Sequence, residues 1–256
     1  MSYPATFDTI GQPFVLLTTV DSTNNYAMAQ AHAGLATHGT AYFALEQTAG
    51  KGQRGKTWLS APGQNIMMSL NLSPGAARID QSFLLSAAVA LGCYDFCKSI
   101  ASDEISIKWP NDIYWRDRKA GGILIENQVR APDNSWICSI AGMGINVNQT
   151  VFDEHRTRPV SLKQLTGKDF DVISLAKVLC NYVSKRMEMF YDNRHQLLIS
   201  DYNQALFMRG RNVKLRQGPV VFETVITGVE AGGWLLTKDA VDRRFSVGEV
   251  EWLPNQ

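Results

Sequence analysis

The chain has 256 residues, 45% of them hydrophobic, with Lys+Arg 25 against Asp+Glu 24 and a formal net charge of +1. That describes a soluble globular protein with one large domain, or a large one plus a small one, and it excludes a polybasic nucleic-acid binder, which needs a clustered excess of Lys and Arg. The charge is unevenly placed: no Lys or Arg precedes Lys51, so the basic start of a secretory signal is missing.

In chain order, residues 14–20 (FVLLTTV) read as a buried strand, followed by a run of helix-capping side chains, Asp21 to Asn24, and a helix over 25–33. Residues 40–46 and 66–72 read as strands on either side of a glycine loop. A helix then runs to about Ile100, capped by Asp80 or Ser82, with Phe83, Ala87, Leu91 and Tyr94 on one face. Short strands are expected at 105–109, 113–114, 122–128, 136–143 and 145–148. An amphipathic helix over 172–191 carries Leu175, Val178, Leu179, Tyr182, Val183 and Met187, and helix returns around 197–207. From Asn212 the pattern changes to short period-two segments broken by Gly218-Pro219, Gly232-Gly233 and Gly248, a small β-domain of about 45 residues. The expected organisation is an α+β domain, a mixed sheet flanked by helices, over 1–207, and a small β-domain over 208–256.

The most apolar uncharged run, 81–94, lies between Asp80 and Asp95 and is shorter than the roughly 20 residues a bilayer span needs; a cytoplasmic protein is expected. Cys93, Cys97, Cys138 and Cys180 sit in apolar stretches and read as packed free thiols, and His32, His38, His155 and His195 form no ligand pattern, so no structural metal is expected.

Residues 50–57, GKGQRGKT, spell two nucleotide motifs at once, GxGxxG and GxxxxGK[ST]. Both require the loop to open directly into a helix whose N-terminus holds phosphate. Here the loop runs instead into Trp58-Leu59-Ser60-Ala61-Pro62-Gly63 and then a strand, so neither motif has its context. The glycines are still costly in backbone entropy unless the chain must approach a ligand closely. Lys51, Arg54 and Lys56, with no acid among them, suit an anionic one.

Four further stretches carry polar or glycine residues: Ser22-Thr23-Asn24, the KWPND run from Lys108, the KAGGILIE run from Lys119, and GMGINVN from Gly142. Singly each has a structural reading, as a helix cap, a tight turn, a hairpin and a bulged strand. Together with EQTAGKGQRGKTW from Glu46 they occur in an order that resembles the biotin protein ligase family, over residues 14 to 254. The resemblance implies the catalytic fold shared with lipoate ligases, followed by an SH3-like domain. It implies that biotin attacks the α-phosphate of ATP, with magnesium on the nucleotide, giving biotinyl-adenylate and pyrophosphate. A lysine of a biotin carboxyl carrier protein, or of the biotinyl domain of an acyl-CoA carboxylase, then takes the biotinyl group.

By that resemblance Lys119, Arg54 and Asp112 are catalytic, Lys119 contacting the biotin carboxylate and the phosphate. Biotin would be bound by Ser22, Thr23, Asn24, Gln47, Gly50, Lys51, Gly52, Gln53, Lys119, Gly121 and Gly122, with Ser22, Thr23 and Gln47 supplying neutral hydrogen bonds to the ureido ring. The nucleotide would be met by Lys51, Arg54, Lys56, Trp58, Lys108, Asn111 and Asn146, with Trp58 stacked on adenine. Asp112 would face the magnesium of the nucleotide and is the candidate base of the second half-reaction. The cations ease the approach of one anion to another.

Two departures stand out. The usual GRGRRG loop has Lys51 and Gln53 in two of its arginine positions, one losing the planar fork and the other the charge. Only about a dozen residues precede the first strand, so a ligase without the winged-helix DNA-binding domain, with no repressor function, is expected, either a monomer or a weak homodimer. The competing readings are lipoate or octanoate ligation on the same fold, a P-loop NTPase, and a non-catalytic biotin or nucleotide sensor.

Overall fold

The structure, a computed structural model, describes residues 10–152 and 158–253; residues 1–9, His155 and Pro254 lie outside the described residues. Seven strands form a mixed sheet in the order β1 (Phe14–Val20), β2 (Ala41–Gln47), β3 (Asn65–Leu72), β7 (Ser135–Asn146), β6 (Arg118–Arg130), β5 (Asp112–Trp115) and β4 (Ile105–Lys108). Only β1 and β2 run parallel; the other pairs are antiparallel. The fold is the α+β mixed sheet flanked by helices that the pattern implies.

Strand alternation distributes this sheet between two faces. On one face Phe43, Ile66, Met68, Leu70 and Ile145 meet the helices α2 (Ser82–Ile100), α4 (Val172–Tyr191) and α5 (His195–Ala205) in the main core. On the other, Tyr42, Cys138 and Ile140 pack with Ala27 of α1 (Thr23–His32) in a smaller cluster. A short helix, α3 (Leu162–Thr166), is N-capped by Ser161 and ends on Gly167 in the left-handed conformation.

A second, antiparallel sheet has the order β11 (Asp242–Phe245), β10 (Leu235–Lys238), β9 (Val220–Val229), β8 (Asn212–Gln217) and β12 (Glu251–Trp252). Its Val213, Leu215, Ile226 and Leu235 belong to the same buried cluster as α2 and β4. The Trp109 indole N–H donates to Gly233 O at 3.0 Å, and Asn203 on α5 bonds both the N–H and the C=O of Val229, so the second sheet is tied to the first by polar contacts as well.

Several elements differ from the sequence expectation. β1 is the edge of its sheet and half exposed, with Leu16 at 51%, because strand 14–20 has a neighbour on one side only. α1 begins at Thr23 rather than at residue 25: Ser22 is extended and takes the cap position, but its hydroxyl makes no capping bond. α2 is entered through a 3₁₀ turn, Ile79–Gln81, so Ser82 is its first residue and neither Asp80 nor Ser82 is the cap. α2 is also buried nearly all round, from Leu84 and Leu85 to Phe96, because it lies between the sheet and α4. With its entry turn it is long and apolar enough to cross a membrane, but most of it is packed inside this core. The two strands expected over 136–148 are one, β7, since the glycines at 142 and 144 stay in register with β3 and β6. Val178 on α4 faces outward. All four cysteines are free and buried, and burial pushes the Cys97 and Cys180 thiols up to about 12.

Candidate active site

The glycine loop opens on no α-helix. Lys51 and Thr57 form a β-bridge, Gly52 N donates to Lys56 O at 2.7 Å and Trp58 N to Gly50 O at 2.8 Å, closing a hairpin around a 3₁₀ turn, Gln53–Gly55, in which Arg54 has a φ of 56°. The hairpin lies at the mouth of a cleft of about 950 Å³ on the α1 side of the large sheet. Of the residues singled out by the motifs, all but Gly50 and Gly121 line this cleft. Those two glycines serve packing: a β-carbon at Gly50 would fall 2.5 Å from Trp58 O, and one at Gly121 2.5 Å from the Ile145 side chain.

The GMGINVN run explains how the floor is built. Gly142 and Gly144 point to the same face of β7, and each clears space for one residue from elsewhere. Asn24 sits where a Gly142 side chain would be, and the Trp58 indole lies over Gly144. Gly142 pairs with Leu124 and Gly144 with Gly122, so Asn24 and Trp58 mark two stations about 7 Å apart along the strands. Met67 and Leu124 give the wall between them its apolar surface.

At the first station the side chains are already bonded to one another. Thr23 donates to Gln47 Oε1 from its N–H at 2.7 Å and from its hydroxyl at 3.0 Å. Ser69 Oγ donates to Asn24 Oδ1 at 2.6 Å and lies 2.7 Å from Thr23 Oγ1. Asn24 Nδ2 donates to Glu126 Oε2 at 2.7 Å and to Leu124 O at 3.3 Å, so its amide is spent on the protein. Ser22, 1% exposed, makes no capping bond and leaves its hydroxyl to the cleft.

At the second station Lys119 Nζ is 2.7 Å from Asp112 Oδ1 and 5.7 Å from the centre of the Trp58 ring. A register shift between β5 and β6 turns Lys119 into the cleft, and its backbone is clamped from both sides, N–H to Arg158 O and C=O from Val160 N. The Asn111 and Asn146 Nδ2 groups are bonded to backbone: Asn111 donates to Ile123 O, and Asn146 to Lys119 O and Val160 O. They hold the strands that carry Asp112 and Lys119. Lys108 lies 4.8 Å from the Tyr114 ring centre, 5.3 Å from Trp252 and 5.8 Å from Phe207, and burial holds its pKa below the ordinary value against the pull of Asp112. The buried indole N–H groups of Trp58 and Trp252, both in rings that line the cleft, have no hydrogen-bond partner.

Three contributors are not among the site residues that the motifs single out. Ser69 and Glu126 share the cleft face with Met67 and with Leu124, which a period-two reading of IMMSLNL and KAGGILIE could have found. Trp252 comes from the last strand, and nothing local points to it.

A sequence model of the biotin/lipoate A/B protein ligase family matches residues 16–146. The chain belongs to this family. It is 29% identical over 246 residues to the bifunctional ligase/repressor BirA of Escherichia coli (strain K12), spanning 94% of this chain and 74% of that protein. It is 35% identical over 167 residues to the biotin–[acetyl-CoA-carboxylase] ligase of Paracoccus denitrificans, spanning 61% and 65% of the two. The biotin protein ligase of Aquifex aeolicus, solved in complex with biotin and ATP, superposes with a TM-score of 0.78 at 25% identity over 94% of this chain and 98% of that one. The family model ends within the large sheet, and the likeness to the Aquifex aeolicus structure extends over the second sheet as well.

Proposed function

We propose that this ligase joins biotin to a lysine of a biotin carboxyl carrier protein or of the biotinyl domain of an acyl-CoA carboxylase, through a biotinyl-5′-AMP intermediate. The observation that carries the reading is the pairing of two stations on one apolar wall. Ser22, Thr23 and Gln47 offer neutral hydrogen bonds suited to a ureido ring, and Lys119, Arg54 and Lys56 offer cations where the biotin carboxylate would meet the α-phosphate of ATP. The unpartnered Trp58 and the floor at Gly144 suit a stacked adenine.

Within this reading Lys119 draws the attacking carboxylate and the phosphate together and offsets the charge that builds on the phosphorus oxygens. Asp112 holds Lys119 in place and takes the acceptor amine's proton in the second step. Gly52 and Gly122 keep backbone close to biotin, Gly50 and Gly121 let Trp58 and Ile145 pack behind them, and Lys51 and Gln53 border the site. A magnesium ion would travel with the nucleotide: among the described residues no group of three or more His, Cys, Asp or Glu could hold a metal, and Asp112 alone would face it.

Residues 1–207 form the catalytic domain and 208–256 the SH3-like one in this proposal, with the enzyme cytoplasmic, a monomer or weak homodimer, and without repressor function or operator binding. A net charge of +1 supports the last point; sequence-specific duplex binding that resists salt would contradict it.

Lipoate or octanoate ligation is the competing reading, since the family includes it; an acyl chain has no use for the donors and acceptors at the first station. The test mixes protein, Mg-ATP and either biotin or lipoate and follows pyrophosphate. Biotin-dependent release is expected; lipoate-dependent release, or ATP hydrolysis indifferent to biotin, would overturn the assignment.

A further inference from the structure

The polar contacts at the first station form a ring that begins and ends on one short segment. It runs from Gln47 to Thr23, Ser69, Asn24 and Glu126, and then to Lys51, whose ammonium is 3.8 Å from Glu126 Oε1. Gln47 and Lys51 stand at the two ends of segment 47–51, the entry to the glycine loop. Between them, Thr48 N donates to Val20 O and Ala49 N to Asp21 O. Four elements, β2, α1, β3 and β6, thus converge on five residues of chain.

The charges give the ring a purpose. The loop brings Lys51, Arg54 and Lys56 to a cleft that already holds Lys108 and Lys119, and like charges oppose that approach before an anion arrives. Asp112 is paired with Lys119 and Glu126 with Lys51, whereas no carboxylate is paired with Arg54 or Lys56 among the described residues. The Lys51–Glu126 pair is half-exposed and weak alone. Glu126 is nevertheless fixed in place, because its other oxygen accepts the amide of the buried Asn24.

We propose that Glu126 is a positioning residue that latches the entry of the glycine loop over the biotin end of the cleft, by holding Lys51 from a carboxylate oriented by Asn24 and Ser69. What the loop closes over rests on the biotin-ligase reading; the latch itself does not.

The test compares wild type with Glu126→Gln, Lys51→Met and the double variant. Glu126→Gln keeps an oxygen for Asn24 and removes only the charge that faces Lys51. In the absence of biotin and ATP, limited trypsin digestion is read by mass at Arg54 and Lys56. Cleavage confined to this loop should be about tenfold faster in each single variant and no faster in the double, since the two changes break one contact. With biotin and Mg-ATP, each single variant should raise the KM for biotin about tenfold while kcat stays within about threefold, again with no further rise in the double. Loop cleavage and KM within twofold of wild type in either single variant, or effects that multiply in the double, would overturn the latch. Should Glu126→Gln melt early, Lys51→Met alone decides: wild-type cleavage rates at Arg54 and Lys56 would overturn the proposal. Wild-type protein without biotin-dependent pyrophosphate release would instead refute the ligase reading, and the trypsin comparison would still judge the latch.

Discussion

The Trp58 indole occupies the space that a side chain on Gly144 would need: a β-carbon there would come within 2.5 Å of its Cε2 atom. The floor of the cleft and the ring that rests on it are therefore fitted to each other, although 86 residues separate them in the sequence. Gly144→Ala should displace the ring and raise the KM for ATP by about tenfold, with a smaller effect on the KM for biotin, since steric misplacement of one binding surface removes binding rather than chemistry. Steady-state pyrophosphate kinetics with each substrate varied in turn would check this.

Lys119→Ala should lower the rate of adenylate formation by about 10²–10³ while the protein stays folded, the range seen when one preorganised stabiliser of transition-state charge is removed. Asp112→Asn should cost less, because the ammonium remains and only its orientation suffers. Biotin-dependent exchange of pyrophosphate into ATP measures both; near-full activity of Lys119→Ala would show that the lysine is misassigned.

Away from the cleft, Arg186 on α4 joins Asp95 of α2, at 2.6 Å, to Asp201 of α5, at 2.5 Å, with its side chain only 19% exposed. Removing it leaves two partly buried carboxylates facing each other. Arg186→Ala should lower the unfolding free energy by about 1–3 kcal/mol, read from urea denaturation at neutral pH, with the KM values for biotin and ATP unchanged.

Burial lowers the pKa of His38 below its ordinary value, and its Nδ1 accepts a hydrogen bond from Ser73 N at 3.1 Å, which requires that nitrogen to be unprotonated. The unfolded chain therefore binds this proton more readily than the folded one. Stability from this site is complete above the unfolded value of 6.5 and falls as the pH drops through it toward the folded pKa. The loss of urea midpoint between pH 7.5 and pH 5.5 should be larger in wild type than in His38→Gln.

Periodicity located the helices well, α4 to the residue, because an amphipathic stripe is a local property. It could not say which strands lie side by side. For that reason 14–20 read as buried when β1 is an edge, and the motifs gave no sign of the partners that the Asn24, Asn111 and Asn146 side-chain N–H groups find in Glu126, Leu124, Ile123, Lys119 and Val160. Lys119, Asp112 and Trp58 were legible because each lies inside a contiguous motif. Glu126 acquires its meaning only when Asn24 and Lys51 fold against it from opposite sides. Trp252 acquires its own only through Lys108.

That last contact has a practical consequence. Tyr114 belongs to the large sheet and Trp252 to the final strand, yet both rings stack around the one ammonium. Shortening the chain ahead of Trp252, or fusing a bulky tag close behind it, would hydrate Lys108, let its pKa climb back toward 10.5, and free the side chain to swing toward the nucleotide phosphates. A change at the extreme C-terminus should thus register as altered affinity for ATP before it registers as lost stability.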